Sequence, residues 1–553
     1  MKRGILRYGG SVSIGWSFRA GRAALTVATP WPGRTPNLHM CPNAAPDGLE
    51  LDQSFGEYPP ERRGSRMPNR LTLGIDVGTT SVKAGIVDGS GRVVARFAQS
   101  YPTLRRGSDI AEQDPDDWVR LISDAMASFA DFEISAIGIT GQVNTHVFVD
   151  REGTALLPAI LWQDGRAGGE AAGLDARVSA AQKQAWWGAP MPIDASHACS
   201  RMAWVARHHP DIWEKTRWVM LPKDYCLLKL TGEATTDPIS NIGLVDNTHA
   251  YIAEVFDLVP GAADRKVPLV PVCDVVGTVA QGPFAGVPVV SGTMDAWAGL
   301  VGAGGAKDGS TVYLSGTSEI LGISSHDVVP TPGIIVFPEA DGIRLHAAPT
   351  QSGGDAKVWF SQAGGVSLDQ MTELVARTER RAATPLFLPQ LQGERAPLWD
   401  ADLRAAFLGV GRQTNQQDLA RAVYEGVAMS ARMALEALQK SAGVVSDTIA
   451  CGGGGFQSDP WAQIRADILG VELTCLAAKD PGILGAAAMA AIGVGHFRAF
   501  GEAYDALAVF DRTFTPDPAS HTHYNDLFDL YRDAIAVNAD LGKRLSKLDF
   551  STV

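Results

Sequence analysis

The feature of this sequence that most constrains its fold is a strand–turn–strand unit that occurs twice. The first copy begins at Leu71 as LTLGID, a Gly-Thr-Thr-Ser turn and SVKAGIVD, and a third β-rich run, VVARFAQS, follows it. The second copy, TVYL–SGTS–EILGIS, begins at Thr311, so that Gly316 follows Gly78 by 238 residues. Short β-rich runs separated by turn residues predict antiparallel strands. Two copies, each near the start of one half of the chain, predict two related domains that face each other.

Helical and strand patterns alternate between and after these copies, which predicts a mixed α/β architecture. The predicted elements are buried strands over 134–140 and 287–290, a helix over 419–438 opened by the capping box Thr414-x-x-Gln417, a helix that starts at Ser458-Asp459-Pro460 and ends at Gly470, and a buried helix over 482–495. The apolar run over 482–495 is shorter than the roughly 18 residues that a membrane span needs.

Composition excludes several classes of partner. The chain of 553 residues holds 48 Lys+Arg and 61 Asp+Glu, a net charge of -13, so no general attraction to nucleic acid or to an anionic membrane is expected. The six cysteines lie far apart and form no CxxC, so their spacing suggests neither a zinc site nor a disulfide framework and fits a reducing cytoplasm. Small molecules are therefore the expected ligands, and a homodimer is one assembly that the sequence leaves open.

The first 66 residues differ from the rest of the chain. They are rich in Arg, Gly and Pro, show no sustained period and precede Met67, which stands just before the first clear strand. We expect residues 1–66 to be a disordered or wrongly annotated extension. The folded part is then expected to comprise two domains, over 67–304 and over 305–553.

Both Gly-Thr turns could hold phosphate. Asp76 ends a buried strand beside a turn whose backbone N–H groups and hydroxyls can face a polyphosphate, and its carboxylate can hold Mg²⁺ through water. The alternative is an ordinary hairpin in which Asp76 accepts turn hydrogen bonds. The matching turn Ser315-Gly316-Thr317-Ser318 offers the same donors from the other half, so one anion could be held between the two.

Two further segments could carry chemistry. CGGGGFQSDPW, from Cys451 to Trp461, runs four glycines into a helix start, where backbone can approach a ligand closely; its alternative is a flexible loop. In SGTMDAW, from Ser291 to Trp297, Asp295 stands where a strand gives way to a helix. From spacing alone Asp295 is either an N-cap or a general base that takes a proton from a substrate hydroxyl.

Together these motifs resemble the FGGY carbohydrate kinases, and most of all the pentulose kinases, with the xylulokinases as the nearest type. The motifs, in chain order from about Leu71 to about Ala539, are GIDVGTTSVK, ITGQ at Ile139, LWQDGRA at Leu161, SGTMDA, LSGTS, GERAP at Gly393, AFLGV followed by LARAVYEG, and GGGG…ADILG.

The resemblance implies the two-domain, actin-like ATPase (ribonuclease H-like) fold, with a ligand cleft between the domains. It places the sugar and phosphate side in the domain over 67–304 and the nucleotide side in the domain over 305–553. It also implies transfer of the γ-phosphate of ATP to a sugar hydroxyl, with Mg²⁺ as cofactor. The implied roles are Asp295 as catalytic base; Asp76 as metal-linked carboxylate; Gln142, Val143, Asn144, Asp295 and Ala296 at the sugar; and Thr79, Thr80, Ser81, Gly316, Thr317, Gly354, Gly454, Gly455 and Ser458 at the nucleotide.

Departures from the family pattern bear on the substrate. Val143-Asn144 stands where xylulokinases have a Met-His pair, with His146 two residues on; Ala296 replaces an Asn that often follows the base; and Arg201 stands near a family Lys. D-xylulose is therefore the first expected substrate, and a glycerol, ribulose or other polyol kinase is the alternative. A sensor that binds nucleotide and sugar without turnover is the alternative of another class.

Overall fold

This computed structural model describes residues 70–107, 109–188 and 191–545, together with the backbone of three N-terminal strands. The chain divides into two compact units, residues 1–51 and 52–553. In the first unit, β1 (Arg3–Tyr8), β2 (Val12–Arg19) and β3 (Arg22–Ala28) form an antiparallel sheet in chain order. The other parts of 1–66 lie outside the described residues, so the predicted nature of this extension stays a prediction.

The first half of the larger unit is built on one seven-stranded sheet with the order β13-β14-β9-β4-β5-β6, in which β15 also pairs with β9. Its elements are β4 (Thr72–Val77), β5 (Ser81–Val87), β6 (Val93–Ser100), β7 (Leu104–Arg106), β8 (Ile110–Gln113), α1 (Pro115–Ser128), β9 (Ala136–Gly141), β10 (Val147–Val149), β11 (Ala159–Ile160), α2 (Gly168–Asp175), α3 (Ala180–Trp187), α4 (Ala198–His208), α5 (Pro210–Lys215), β12 (Trp218–Met220), α6 (Pro222–Thr231), α7 (Ala253–Phe256), a 3₁₀ turn (Ala262–Arg265), β13 (Val275–Thr278), β14 (Pro288–Val290), β15 (Thr293–Met294) and α8 (Asp295–Ala303).

The second half is built on another seven-stranded sheet with the order β18-β19-β17-β16-β22-β23-β24. Its elements are β16 (Thr311–Ser315), β17 (Glu319–Ser324), β18 (Ile335–Val336), β19 (Leu345–Pro349), α9 (Gly354–Gly364), α10 (Leu368–Ala376), β20 (Leu386–Leu388), β21 (Ala406–Leu408), α11 (Gln416–Ala442), β22 (Thr448–Gly452), a 3₁₀ turn (Gly454–Gln457), α12 (Asp459–Leu469), β23 (Glu472–Leu476), α13 (Pro481–Gly493), α14 (Phe500–Leu507), β24 (Phe510–Phe514) and α15 (Pro518–Leu545).

The two sheets share one pattern, which confirms the predicted α/β architecture in two related halves. In the first sheet β4, β5 and β6 form an antiparallel meander, and β9 pairs with β4 in parallel. In the second sheet β16, β17 and β19 form the antiparallel meander, and β22 pairs with β16 in parallel. The Gly-Thr turn therefore follows the equivalent strand in each half.

Two helices of small residues lie between the sheets. Helix α8 and the Ala-rich α13 share a buried core with side chains of both sheets, among them Ala136 of β9 and Val312 of β16. Their packing is close because glycines face the helix backbones: a Cβ at Gly138 of β9 would lie 1.9 Å from the carbonyl oxygen of Ala486. The predicted buried helix over 482–495 is thus confirmed as α13.

The local sequence signals are only partly right in detail. Helix α11 begins at Gln416, and its capping box joins Asn415 and Asp418, whose side chains exchange bonds of 3.1 and 2.9 Å with backbone N–H groups. The predicted Thr414–Gln417 box is wrong, because the Thr414 hydroxyl donates instead to the carbonyl of Ala383 at 2.8 Å. Helix α12 begins at Asp459 and ends before Gly470 as predicted, but the Ser458 side chain makes no capping bond.

Substitution at Gly138 tests the close contact between β9 and α13. We expect Gly138→Ala to lower the free energy of unfolding by about 1–3 kcal/mol, since the added methyl must push backbone apart. The matched control is Gly173→Ala in exposed helix α2, where a Cβ meets nothing within 4 Å and helix propensity favours alanine by up to about 1 kcal/mol. Urea unfolding measures both; an unchanged midpoint for Gly138→Ala would contradict the tight packing.

Candidate active site

A cleft of about 1070 Å³ lies between the two halves of the larger unit and receives side chains from both. Nine of the residues predicted from sequence line it. They are Asp76, Thr79, Gln142, Val143, Asn144, Asp295, Ala296, Gly316 and Gly454. Residues separated by almost 380 positions in the chain therefore meet around one space, as a ligand site between two domains requires.

The first hairpin brings Asp76 to the cleft. Asp76 lies near the end of β4, and the following turn is closed by a bond of 3.1 Å from the Gly78 N–H to the Ser81 carbonyl. The Thr79 hydroxyl accepts a bond of 3.0 Å from the Trp162 indole. The Asp76 Oδ1 atom is buried and has no hydrogen-bond partner. The alternative in which Asp76 only accepts hydrogen bonds from the turn therefore does not explain the position of this oxygen.

Asp295 reaches the same space from the other edge of β9. The short strand β15 pairs in parallel with the end of β9, and helix α8 begins at Asp295 itself. The capping position belongs to Met294, which makes no side-chain capping bond, so Asp295 is not the N-cap. Its Oδ1 accepts a bond of 2.7 Å from the backbone N–H of Ala296.

Burial perturbs both carboxyl groups. It raises the pKa of Asp295 to about 7, and the negative charge of Asp76 acts in the same direction. Burial also raises the pKa of Asp76 to about 6, which the neighbouring Lys83 opposes and Asp480 supports. A carboxylate with a pKa near neutrality in a cleft is suited to accept a proton from a substrate hydroxyl.

A buried ion pair supports the second hairpin. The fully buried Arg465 and Glu319 contact each other, and the Ser315 hydroxyl donates to Glu319 at 2.8 Å. Arg465 also donates to the Ser315 Oγ at 2.7 Å and to the Gly455 carbonyl at 3.1 Å. The pair thus holds the Gly-Thr turn and the glycine run side by side, at the cleft edge where Gly316 and Gly454 are found.

The predicted sugar residues differ in what they can offer a ligand. Gln142 is buried, and its amide already binds Gln113 at 3.0 Å and accepts from Thr145 at 3.1 Å. Asn144 has a left-handed backbone (φ 56°) and donates to the Ser196 hydroxyl at 3.4 Å. Since that bond is long, the Asn144 amide is the more available polar group.

Other predicted residues do not reach the cleft wall. His146 is buried, and its ring is not among the lining groups. Six of the predicted nucleotide residues are not among those that line this cavity. They are Thr80, Ser81, Thr317, Gly354, Gly455 and Ser458. Thr80 and Thr317 are exposed, whereas Gly354 supports the second turn, since its N–H donates to the Gly316 carbonyl at 3.0 Å.

The structure also adds cleft residues that sequence reasoning did not assign. Lys83 forms an ion pair of 2.9 Å with Asp480, which precedes α13. The Arg395 guanidinium, from the second half, lies 4.6 Å from the ring centre of Trp162, from the first half. Three of these four belong to quoted motifs, GIDVGTTSVK, LWQDGRA and GERAP, but their partners lie far away in sequence, so no local signal could have paired them.

Two kinds of feature are missing from the residues that the structure describes. Within 70–107, 109–188 and 191–545, no group of three or more His, Cys, Asp and Glu side chains could hold a metal ion. Among the described helices, none combines the length and apolar character that crossing a membrane requires.

Comparison with known proteins identifies relatives along most of the chain. Residues 71–302 match the N-terminal domain, and residues 312–494 the C-terminal domain, of the FGGY family of carbohydrate kinases. The chain is 28% identical to a xylulose kinase from Staphylococcus epidermidis, covering 84% of this chain and 96% of the relative. It is 31% identical to a xylulose kinase from Klebsiella pneumoniae, covering 77% and 90%.

Comparison with solved structures also identifies sugar kinases as relatives. A crystal structure of a xyloylose kinase from Brucella ovis matches with a TM-score of 0.77 and 28% identity, over 85% of this chain and all of that chain. The similarity extends through both halves and the cleft between them, so the fold is that of a two-domain sugar kinase.

The raised pKa of Asp295 predicts a pH-dependent effect of its substitution. Between about pH 4 and pH 7 the unfolded chain releases the Asp295 proton while the folded protein keeps it, so rising pH costs the wild type stability. Asn does not titrate. We therefore expect Asp295→Asn to be more stable than the wild type at about pH 8, by a margin that shrinks towards about pH 4.5.

Urea unfolding of both proteins across this pH range gives the measurement. Asp526→Asn, which removes an exposed carboxylate remote from the cleft, controls for the loss of one charge. A difference between Asp295→Asn and the wild type that does not change with pH would contradict the raised pKa.

Proposed function

Because the chain belongs to the FGGY family of carbohydrate kinases, we propose that it transfers the γ-phosphate of ATP to a hydroxyl of a ketopentose, with D-xylulose as the first candidate. Family membership makes the chain a sugar kinase, a phosphotransferase with an alcohol group as acceptor, and kinases of this family use ATP as a substrate. The choice of D-xylulose is supported by the two xylulose kinases that are 28% and 31% identical to it.

The observation that carries the proposed mechanism is the raised pKa of Asp295 in the cleft, next to Asp76. We assign Asp295 as the general base. Its carboxylate accepts the proton of the sugar hydroxyl while that oxygen forms a bond to the γ-phosphorus, and the bond from the γ-phosphorus to the bridging oxygen breaks to release ADP. The two hairpins hold the reactants in line, so that one base and good positioning suffice.

We assign the phosphates to the two Gly-Thr turns, with Thr79, Thr80 and Ser81 on one side and Gly316 and Thr317 on the other. We assign the nucleotide to the segments of the second half that hold Gly354, Gly454, Gly455 and Ser458, of which Gly454 lines the cleft. Backbone N–H groups in such turns attract anions without needing a positive side chain. This arrangement agrees with a net charge of -13, because the phosphate is held locally.

Asp76 fits a role in holding Mg²⁺. Its buried Oδ1 has no hydrogen-bond partner in the structure, and Mg²⁺ in kinases is commonly bound by one or two carboxylates together with phosphate oxygens and water. When bound, Mg²⁺ supplies neutralisation of phosphate charge. The reaction steps proposed for Asp295 do not depend on further details of this site.

A second candidate is a glycerol, ribulose or other polyol kinase. Val143, Asn144 and Ala296 replace side chains that the xylulokinase pattern places at the sugar, and Val143 and Ala296 offer no side-chain hydrogen bond. Sites that bind hydroxyls discriminate strongly through such bonds.

The proposed location of the protein is the cytoplasm, since the five described cysteines are unpaired. Assembly into a homodimer stays a prediction.

A coupled assay of ADP release over ketopentoses, ketohexoses and polyols tests the substrate. We expect a ketopentose, D-xylulose first, to give the highest kcat/KM. A polyol such as glycerol with the highest value would support the second candidate. ATP binding without phosphorylation of any compound would support the sensor instead of a kinase.

Substitution of the base tests the mechanism. We expect Asp295→Asn to lower kcat by about 10²–10⁴-fold with little change in the Kd for ATP, because a positioned base contributes about that much to proton transfer. Steady-state kinetics and ATP titration measure the two effects, with Asp526→Asn as the control. A kcat near the wild-type value would remove Asp295 from the reaction.

Asn144 tests the sugar pocket. Asn144→Gly removes the side chain and keeps the left-handed backbone accessible, so we expect the KM for the sugar to rise while the KM for ATP stays within about twofold. Kinetics with each substrate varied in turn give both constants. An unchanged sugar KM would show that the Asn144 amide does not bind the sugar.

A further inference from the structure

A group of charged side chains lies fully buried below the cleft. The Lys223 ammonium is 2.6 Å from Asp224 Oδ1 and 2.9 Å from Asp237 Oδ2, and none of the three side chains is more than 1% exposed. The Lys223 Nζ also donates to the backbone carbonyl of Ser291 at 3.3 Å. None of these four residues lines the cavity, so the group does not contact a ligand directly.

This group is bonded to the short strand β15, which immediately precedes Asp295. The Thr293 hydroxyl donates to Asp237 Oδ1 at 2.8 Å, and the Thr293 carbonyl accepts from the Thr140 hydroxyl at 2.6 Å. Thr293 is buried and lies two residues before Asp295. Gly292 before it has φ 65° and lies so close to the Ile139 carbonyl that a Cβ would be only 1.7 Å away. The approach of β15 to β9 is therefore fixed by side-chain and backbone contacts together.

The same group is bonded to a second wall of the cleft. Asp237 Oδ1 also accepts from the Ser240 N–H at 3.0 Å, and the Asp237 carbonyl accepts from the Asn241 amide at 2.7 Å. The segment that follows Asp237, residues 238–243, contributes Ile239, Asn241 and other side chains to the cleft. The Asp237 carboxylate thus connects strand β15, which precedes Asp295, to this wall of the cleft.

Stability alone is a weak reason to bury these charges. Removing a lysine and two carboxylates from water costs several kcal/mol per ion, and apolar residues of the same size often give equal stability. Apolar residues could not form the directed hydrogen bonds by which Asp237 joins β15 to residues 238–243. Substitution of a residue that orients a reactive group without contacting the substrate typically lowers activity by about 10- to 100-fold.

We propose that Asp237, held by Lys223, is a positioning residue that acts through the Thr293 hydroxyl to fix Asp295 against the cleft wall formed by residues 238–243. The inference rests on the proposed function, since it requires Asp295 to be the base. It assigns no contact with the substrate to Asp237, Lys223 or Thr293. Loss of the hydroxyl bond leaves nucleotide contacts in place and misplaces the base relative to the sugar.

The test compares two substitutions at one position. Thr293→Val keeps the shape of the side chain and removes the hydroxyl, whereas Thr293→Ser keeps the hydroxyl. We expect Thr293→Val to lower kcat by about 10- to 100-fold with the KM for ATP within about twofold, and Thr293→Ser to restore kcat to within about threefold of the wild type.

The matched control is Thr384→Val, far from the cleft residues. Thr384 is also buried and donates its hydroxyl to an aspartate, Asp418, at 3.2 Å. We expect this variant to lose thermal stability comparable to that lost by Thr293→Val and to keep the wild-type kcat. Where Thr293→Val fails to fold, Asp237→Asn serves instead, with an expected loss in kcat of about tenfold and an unchanged KM for ATP.

Three outcomes would overturn the inference. Wild-type kcat in both Thr293→Val and Asp237→Asn would exclude a positioning role. If Asp295→Asn still shows its large loss of kcat, the proposed function would stand. An equal loss of kcat in Thr293→Ser and Thr293→Val would indicate packing instead of the hydroxyl bond. Near wild-type kcat in Asp295→Asn would overturn the inference and the assigned base together.

Discussion

The structure depends above all on the close backbone packing of helix α13 between the first sheet and helix α8. A Cβ at Gly74 would lie 2.2 Å from the Ile483 carbonyl oxygen, and one at Gly485 would lie 2.0 Å from that of Ala298. Such contacts leave no room for side chains, so the helix position is set by backbone shape. Because α8 begins at Asp295 and α13 follows Asp480, the same packing sets two charged groups at the cleft.

The cleft concentrates charge that burial makes unfavourable. Asp76 and Asp295 both have raised pKa values, and Lys83 offsets only part of the effect on Asp76. Burial is the main cause in both, and the charge of Asp76 adds to it for Asp295; a carboxyl group with such a pKa has the property that the proposed base requires near neutral pH. A fold selected for stability alone would place at least one of these groups in water.

A buried ion pair supports each side of the cleft. Lys223 and Asp237 connect strand β15 to residues 238–243, whereas Arg465 and Glu319 connect the second Gly-Thr turn to the glycine run. In each case an ionic side chain binds backbone or hydroxyl groups of two separate segments. Directed bonds of this kind fix relative position, which hydrophobic contacts alone do not.

The sequence alone determined the parts of the protein that depend on local pattern. The repeated hairpins, the buried strands, helix α13 and the start of α12 follow from residue periodicity and turn chemistry, and nine predicted site residues, including Asp76 and Asp295, do line one cleft. Tertiary structure alone decided the capping box of α11, the pairing of Arg395 with Trp162 and the burial of His146 away from the cleft. These features arise from contacts between residues distant in the chain, or from competition between near neighbours for the same bond. Neither leaves a periodic signal in the sequence.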